Sequence, residues 1–292
     1  MNVLVTGGTG FIGSVLCTAL ADRGHTVTAL ARTPTNTDDE IELAVGDVTA
    51  YESIKPAFEG IDCVVNLVAL SPLFRPRGGN DKHFDIHLGG TENVIDAASE
   101  HGVEKIVQMS ALGADPHGPT AYLQAKGDAE VAVESAPIDH VIIRPSIVFG
   151  DGGEFIPFTE RLMTPYVTGL PGGGHTRFQP IWVKDMVEIL ATAVESESLT
   201  NDSYEIGGPA VKTLADVTRL IARSQGRTVR IIPIPMALVT VGLSVLGHIP
   251  YAPMGPDQAK SLQLDNTTDD GDLAAFDRSP SELLTLEAYL GV

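Results

Sequence analysis

Nine residues near the start, Val5-Thr6-Gly7-Gly8-Thr9-Gly10-Phe11-Ile12-Gly13, constrain this chain more than any other stretch. They follow the apolar run Val3 to Thr6 and open the amphipathic run Phe11 to Arg23, so the glycines fall between a strand and a helix. Gly7 and Gly10 let the backbone turn tightly and approach an anion, and Gly13 removes the side chain that would keep helix from strand. The helix N-terminus then offers unpaired N–H groups to a phosphate. Strand, glycine-rich turn and helix in this register imply a dinucleotide-binding unit, with Gly7, Thr9, Gly10, Phe11, Ile12 and Gly13 at the pyrophosphate.

The alternation continues. Strands are expected at Thr26 to Ala31, Glu42 to Gly46, Cys63 to Val68, Lys105 to Met109 and Val141 to Arg144. Helices are expected near Tyr51 to Phe58, ending near Glu100, and from Ala121 to Glu134. Strands alternating with helices imply right-handed crossovers and a sheet covered on both faces. The expected fold class is α/β, a doubly wound parallel sheet of the Rossmann type in residues 1–150. After Gly150 the rhythm breaks into loops such as Pro171-Gly172-Gly173-Gly174. Residues 151–292 are expected to form a small C-terminal substrate cap, with 177–207 packing back on the sheet. Within it, helices are expected near Lys184 to Glu195 and Leu214 to Ser224, and a short strand at Tyr204 to Ile206.

Charge excludes some partners. Against 38 Asp and Glu stand 19 Lys and Arg, a net charge of -19, so a nucleic-acid phosphate backbone would be repelled. The acids are dispersed, and the cations are seven lysines and twelve arginines. That surface points to a halophile, whose salt-rich cytoplasm screens the self-repulsion. Cys17 lies in a helical pattern and Cys63 opens an apolar strand, so both are expected as small buried hydrophobes in a reducing compartment. The first strand starts too early for an export leader, and a cytoplasmic location is expected. The stretch from Ile231 to Ile249 has no charge, but Pro233 and Pro235 leave too few residues for a span of about 20. It is expected to line the core or a substrate pocket, or to meet a hydrophobic partner or membrane surface.

Further landmarks follow in order: Gly46-Asp47-Val48, Asn66-Leu67-Val68-Ala69, Gly90-Thr91-Glu92-Asn93-Val94, Arg144-Pro145-Ser146-Ile147-Val148-Phe149-Gly150, Phe178 to Asp185, and Tyr204-Glu205-Ile206-Gly207-Gly208. With Gly7, Gly10 and Gly13 they make the chain resemble the extended and atypical branches of the short-chain dehydrogenase/reductase superfamily, over nearly its whole length and more weakly beyond about Arg230. It is most similar to the atypical group named for an accessory subunit of respiratory complex I, and more distantly to sugar-nucleotide epimerases.

The resemblance implies that Asp47 and Val48 border the adenine and that Ala69 lies near the nicotinamide ribose. Where an acidic residue would hold the ribose hydroxyls of NAD, this chain has Ala31-Arg32, and an arginine there favours the 2′-phosphate of NADP. Tyr122 and Lys126, four apart at a helix start, share a face and match the superfamily's Tyr-x-x-x-Lys pair. A cation about 4 Å from a tyrosine would lower its pKa from about 10 by two to three units, making Tyr122 a competent acid or base. Lys126 would also hold the nicotinamide ribose, and Ser110 would hydrogen-bond the reacting oxygen. His87 stands where many extended members have an Asn, and is expected in the cleft, orienting a water or the Lys126 backbone. Arg144 and Ser146 are further candidate cleft residues. His83 and His87 have the spacing of a metal pair, but no third ligand is evident and no metal is expected.

Two functions are therefore expected of such a chain. One is an NADP-dependent oxidoreductase or epimerase acting on a carbonyl or hydroxyl group of a small substrate, lipid-like or a sugar nucleotide. The other is a non-catalytic NAD(P)-binding assembly or sensor protein related to the complex I accessory subunit.

Overall fold

The computed structural model describes residues 1–33, 40–246, 255–269 and 271–292. Six strands of its central sheet come from the first half of the chain: β1 (Asn2–Thr6), β2 (Thr26–Ala31), β3 (Ile41–Val45), β4 (Cys63–Asn66), β5 (Lys105–Met109) and β6 (Asp139–Pro145). The seventh, Asp202–Ile206, adds beside β6, and the order across the sheet is β3, β2, β1, β4, β5, β6 and then Asp202–Ile206. Every pairing is parallel. The turn at β1, where the strand order reverses, is the place where such sheets take a dinucleotide.

The helices are α1 (Phe11–Asp22), α2 (Tyr51–Ile54), α3 (Asp81–His83), α4 (Gly90–His101) and α5 (Ala121–Glu134). Because side chains alternate along a strand, Val3 and Val5 face one layer and Leu4 the other. Val3 and Val5 pack with Leu16, Leu20, Val141, Met186 and Leu190, under α1 and the helix Val183–Glu195. Leu4 packs with Leu30, Ile54, Phe58, Val94 and Ile106, on the side of α2 and α4. All of these are buried, so the sheet is doubly wound.

β3 starts and ends one residue before the expected Glu42 to Gly46, β6 is longer than the expected Val141 to Arg144, and two further departures have a visible cause. The helix expected from Tyr51 to Phe58 is one α turn followed by a 3₁₀ turn, Lys55–Phe58, which begins where Pro56 lacks an N–H to donate. β4 stops at Asn66 instead of Val68, because the chain there turns in beside the glycine-rich loop: a Cβ on Gly7 would lie 3.5 Å from Leu67 C and Val68 N.

Beyond β6 the chain builds its smaller part. Helices Phe155–Leu162, Leu214–Ser224 and Leu286–Leu290 share a core of Phe149, Phe155, Val217, Leu220, Ile221 and Leu286. The helix Leu214–Ser224 starts with a capping box in which Thr213 and Asp216 bond each other's backbone N–H. Strands Val167–Pro171 and Arg230–Ile234 form a separate parallel pair, followed by the uncharged helix Met236–Leu246. Residues 247–249 of the uncharged stretch lie outside the described residues. Among the described residues no helix is long and apolar enough to cross a membrane.

Candidate active site

The glycine-rich turn is held by contacts that only glycine permits. Gly7 has φ 75°, a left-handed conformation. A Cβ on Gly13 would lie 2.2 Å from Gly7 O, and one on Gly8 would lie 2.7 Å from Ala29 Cβ. The turn therefore lies directly against both helix and strand. At the start of α1, Gly10 is the N-cap without a capping side chain, and the first turn contains no acid. Its N–H groups are left for an anion, so these residues fit a dinucleotide pyrophosphate. Cys17 donates to Gly8 O at 3.6 Å, and burial pushes its thiol up to about 12, as it does for Cys63. Both cysteines are buried, inert thiols.

Arg32, exposed just after β2, lies near Asp47 after β3. Burial works against the Asp47 carboxylate, yet the Thr49 N–H and hydroxyl at 2.9 and 2.8 Å, with the Arg32 charge, hold it below the usual carboxylate range. Val48 is fixed by Asn93, whose amide donates to Val48 O at 2.7 Å, and by Gly90, where a Cβ would lie 2.8 Å from Val48 Cγ2. Ala69 is exposed on the loop after β4.

Sequence reasoning missed the polar network that ties these strand ends together. The buried Thr6 hydroxyl donates to Asn66 Oδ1 at 2.6 Å, and Asn66 Nδ2 donates to Thr91 Oγ1 at 3.1 Å and Gln108 Oε1 at 2.9 Å. It joins β1, β4, β5 and α4 beneath the site. The available signal was a polar residue at the end of each apolar run.

Lys126 is buried, and its ammonium donates to Met109 O at 2.7 Å, directly before Ser110. That contact lays the Tyr122 and Lys126 face of α5 over the end of β5. The Ser110 hydroxyl is buried with no partner among the described residues. An unpaired buried hydroxyl costs free energy, which a substrate oxygen would recover.

The expected lowering of the Tyr122 pKa is corrected here. Burial pushes Tyr122 up to about 12 and brings Lys126 down to about 8, with Glu130 opposing the latter. The ammonium points at the Met109 carbonyl, and desolvation of the phenol outweighs its influence.

The cleft residues are also reassigned. His83 directly precedes a six-residue π-helical segment, Phe84–Gly89, that contains His87, and the two rings stack with centroids 5.5 Å apart. Both meet the Tyr122 ring edge-on, at 5.7 and 5.3 Å. His87 Nε2 accepts the Leu70 N–H at 3.4 Å, so His87 holds the loop after Ala69 instead of the Lys126 backbone. Arg144 is committed to Glu130 through a bidentate pair at 2.6 and 3.0 Å. Ser146 donates to Asn266 O at 2.7 Å and accepts the Gln179 N–H at 3.1 Å, joining β6 to later chain. Both side chains thus have partners within the protein. The start of α5 is held by Asp257, whose Oδ2 accepts the Ala121 N–H at 3.0 Å and Asn80 Nδ2 at 2.9 Å.

A doubly wound sheet, a glycine turn fitted to a pyrophosphate and a Tyr-x-x-x-Lys helix with its lysine buried define a dinucleotide-binding class. Residues 7–158 match the NAD(P)H-binding family, and the chain belongs to that family, among proteins like the extended short-chain dehydrogenases/reductases. It is 28% identical over 290 residues to NADH dehydrogenase (ubiquinone) 1 alpha subcomplex subunit 9, mitochondrial, of Arabidopsis thaliana, covering 92% of this chain and 71% of that one. It is 30% identical over 222 residues to a 3 beta-hydroxysteroid dehydrogenase/Delta 5→4-isomerase of Mycobacterium tuberculosis, covering 66% of this chain and 60% of that one. The Thermus thermophilus UDP-glucose 4-epimerase, solved with NAD, shares the fold at a TM-score of 0.66 and 23% identity, over 92% of this chain and 95% of that one.

Proposed function

We propose that this chain is an NADP-dependent oxidoreductase or epimerase acting on a carbonyl or hydroxyl group of a small substrate, lipid-like or a sugar nucleotide. The observation that carries this reading is the Lys126 anchor on Met109 O, which sets the Tyr122 face of α5 beside the end of β5, directly before the Ser110 hydroxyl that has no partner among the described residues. The turn from Gly7 to Gly13 would hold the pyrophosphate and Arg32 the 2′-phosphate. Asp47 and Val48 would border the adenine, and Ala69 and Lys126 the nicotinamide ribose. When bound, the cofactor supplies or accepts a hydride. A phenol pushed up to about 12 stays protonated at neutral pH, which supports Tyr122 as the acid. It would give its proton to the substrate oxygen that Ser110 also binds, and the Lys126 charge would stabilise the phenolate left behind.

The test follows NADPH absorbance at high salt with aldehydes, ketones, quinones and nucleotide sugars. Tyr122→Phe should keep NADPH affinity and lose about 10²- to 10⁴-fold in turnover, whereas Lys126→Ala should weaken both. Full turnover by Tyr122→Phe would overturn the mechanism. Arg32→Ala should weaken NADP by about tenfold or more, the scale of one charge-assisted contact, and leave NAD unchanged. Equal wild-type affinities for NADP and NAD would remove the NADP preference.

A second reading, an NAD(P)-binding assembly or sensor protein, is favoured by the similarity over 92% of the chain to the Arabidopsis NADH dehydrogenase subunit. Its expected outcome is thermal stabilisation by NADPH with no turnover across the panel.

A further inference from the structure

Between Asp216 and Asp257 the chain carries no acidic residue, although it has 38 elsewhere. That segment holds Arg219, Arg223, Arg227 and Arg230 and the uncharged helix Met236–Leu246. Its strand Arg230–Ile234 pairs with Val167–Pro171, which belongs to a second acid-free segment, between Glu160 and Asp185. Val167 lies beside Arg230 and Gly169 beside Ile232, so these four residues share one face of the two-stranded ribbon. That face is open, with Val167 41% and Ile232 46% exposed, while Thr168 and Leu170 on the other face are fully buried. On the helix that follows the strand, Leu238 and Val241, 65% and 63% exposed and three apart, are two further open apolar side chains.

Tyr166 stands at the end of the ribbon, 83% exposed and with φ 69°. A bulky side chain in the left-handed region is strained, and at this exposure no interior packing offsets the strain. Its carbonyl accepts the Arg230 N–H at 2.9 Å, so these two exposed residues are neighbours at the end of the ribbon. Arg230 makes no ion pair among the described residues.

We propose that this face docks on the surface of an anionic lipid bilayer. The helix Met236–Leu246 is too short to span a bilayer, which takes about 20 residues, and would lie in the interface plane. Leu238, Val241 and Ile232 would enter the acyl boundary, Tyr166 would sit at headgroup level, and Arg230 would meet lipid phosphate. Charge selects this occupant over a second copy of the chain. Two copies joined here would bring the two Arg230 side chains together, with no carboxylate from either acid-free segment to meet them. Lipid phosphates supply the missing charge. The rest of the surface carries the excess of acids and is repelled by the same bilayer, so this face alone sets the orientation.

The inference is independent of catalysis and is tested by co-sedimentation of the full chain with phosphatidylglycerol or phosphatidylcholine vesicles, in a buffer where circular dichroism shows it folded. Phosphatidylglycerol vesicles should bind more tightly than phosphatidylcholine, by a margin that shrinks as salt is raised. The double variant Leu238→Asp and Val241→Asp should lose at least tenfold, and Arg230→Ser should narrow the difference between the lipids, both with NADPH binding retained as the folding control. A wild-type chain that stays in the supernatant with phosphatidylglycerol, or vesicle binding indifferent to the double variant, overturns the proposal. So does a dimer in solution that the double variant dissociates, which would assign the face to a second copy.

Discussion

At His87 the ring accepts the Leu70 N–H on Nε2, so the neutral imidazole carries its proton on Nδ1. Burial first, then the positive charge of Lys126, brings its pKa down to about 2, and His83 is lowered by burial in the same direction. The unfolded chain takes up these protons near pH 6.5, whereas the folded chain resists them. Their contribution to stability is therefore complete above pH 6.5 and is lost progressively as pH falls below it. Thermal scans between pH 7 and 5 should show the melting temperature falling, and falling less steeply in His87→Gln. Equal slopes in the two proteins would count against a buried neutral His87. The Tyr122 and Lys126 pair was legible in the sequence because spacing along a helix fixes a shared face. The direction of the tyrosine's shift was not, because spacing says nothing about where an ammonium points or how dry its surroundings are. Asn66 was noted only as part of a landmark, and its bond to Gln108 was not foreseen, because a polar residue ending a strand reads equally well as the first residue of a loop.

Among the elements, β2, β5, α5 and the helix Leu214–Ser224 have the bounds that periodicity predicts. Each is bracketed by glycine, by a capping threonine or by an abrupt change of pattern, so local chemistry decides where it ends. The π-helical turn at Phe84–Gly89 had no such signal, because widening a helix by one residue leaves its apolar pattern nearly intact. The ribbon of Val167–Pro171 and Arg230–Ile234 was equally hidden, since its partners are remote in sequence and one of them is rich in glycine and proline. Gly207-Gly208, noted only as a landmark, has a packing role that local pattern could not show. A Cβ on Gly208 would lie 1.7 Å from Pro180 O, so the strand Asp202–Ile206 can leave the sheet only along a path without side chains. Gly208→Ala should destabilise the fold by about 2 to 3 kcal/mol, the upper range for overpacking, read as a lower urea midpoint. An unchanged midpoint would mean that the segment yields freely.

For the whole molecule, a net charge of -19 opposes compaction wherever salt does not screen it. The ion pairs joining Arg23 to Glu188 and Glu195, and Arg278 to Glu188, offset only a few of the 38 acids. Folding is expected to need molar salt, with the midpoint by circular dichroism rising between 0.1 and 1 M as the Debye length shrinks from about 10 to about 3 Å. A midpoint indifferent to salt would leave the acids an ordinary role in solubility. The place of the strand Asp202–Ile206 at the edge of the sheet also governs how the chain can be made. On a ribosome, β1 to β6 emerge first, yet β6 lacks its outer neighbour until Ile206 has been translated, and one sheet face lacks the helix Val183–Glu195. At roughly 5 to 20 residues per second that interval lasts several seconds, during which an unpaired edge and an apolar face stay open to other nascent chains. The nucleotide-binding half is thus synthesised early and completed late, and its solubility during translation rests on residues it does not contain.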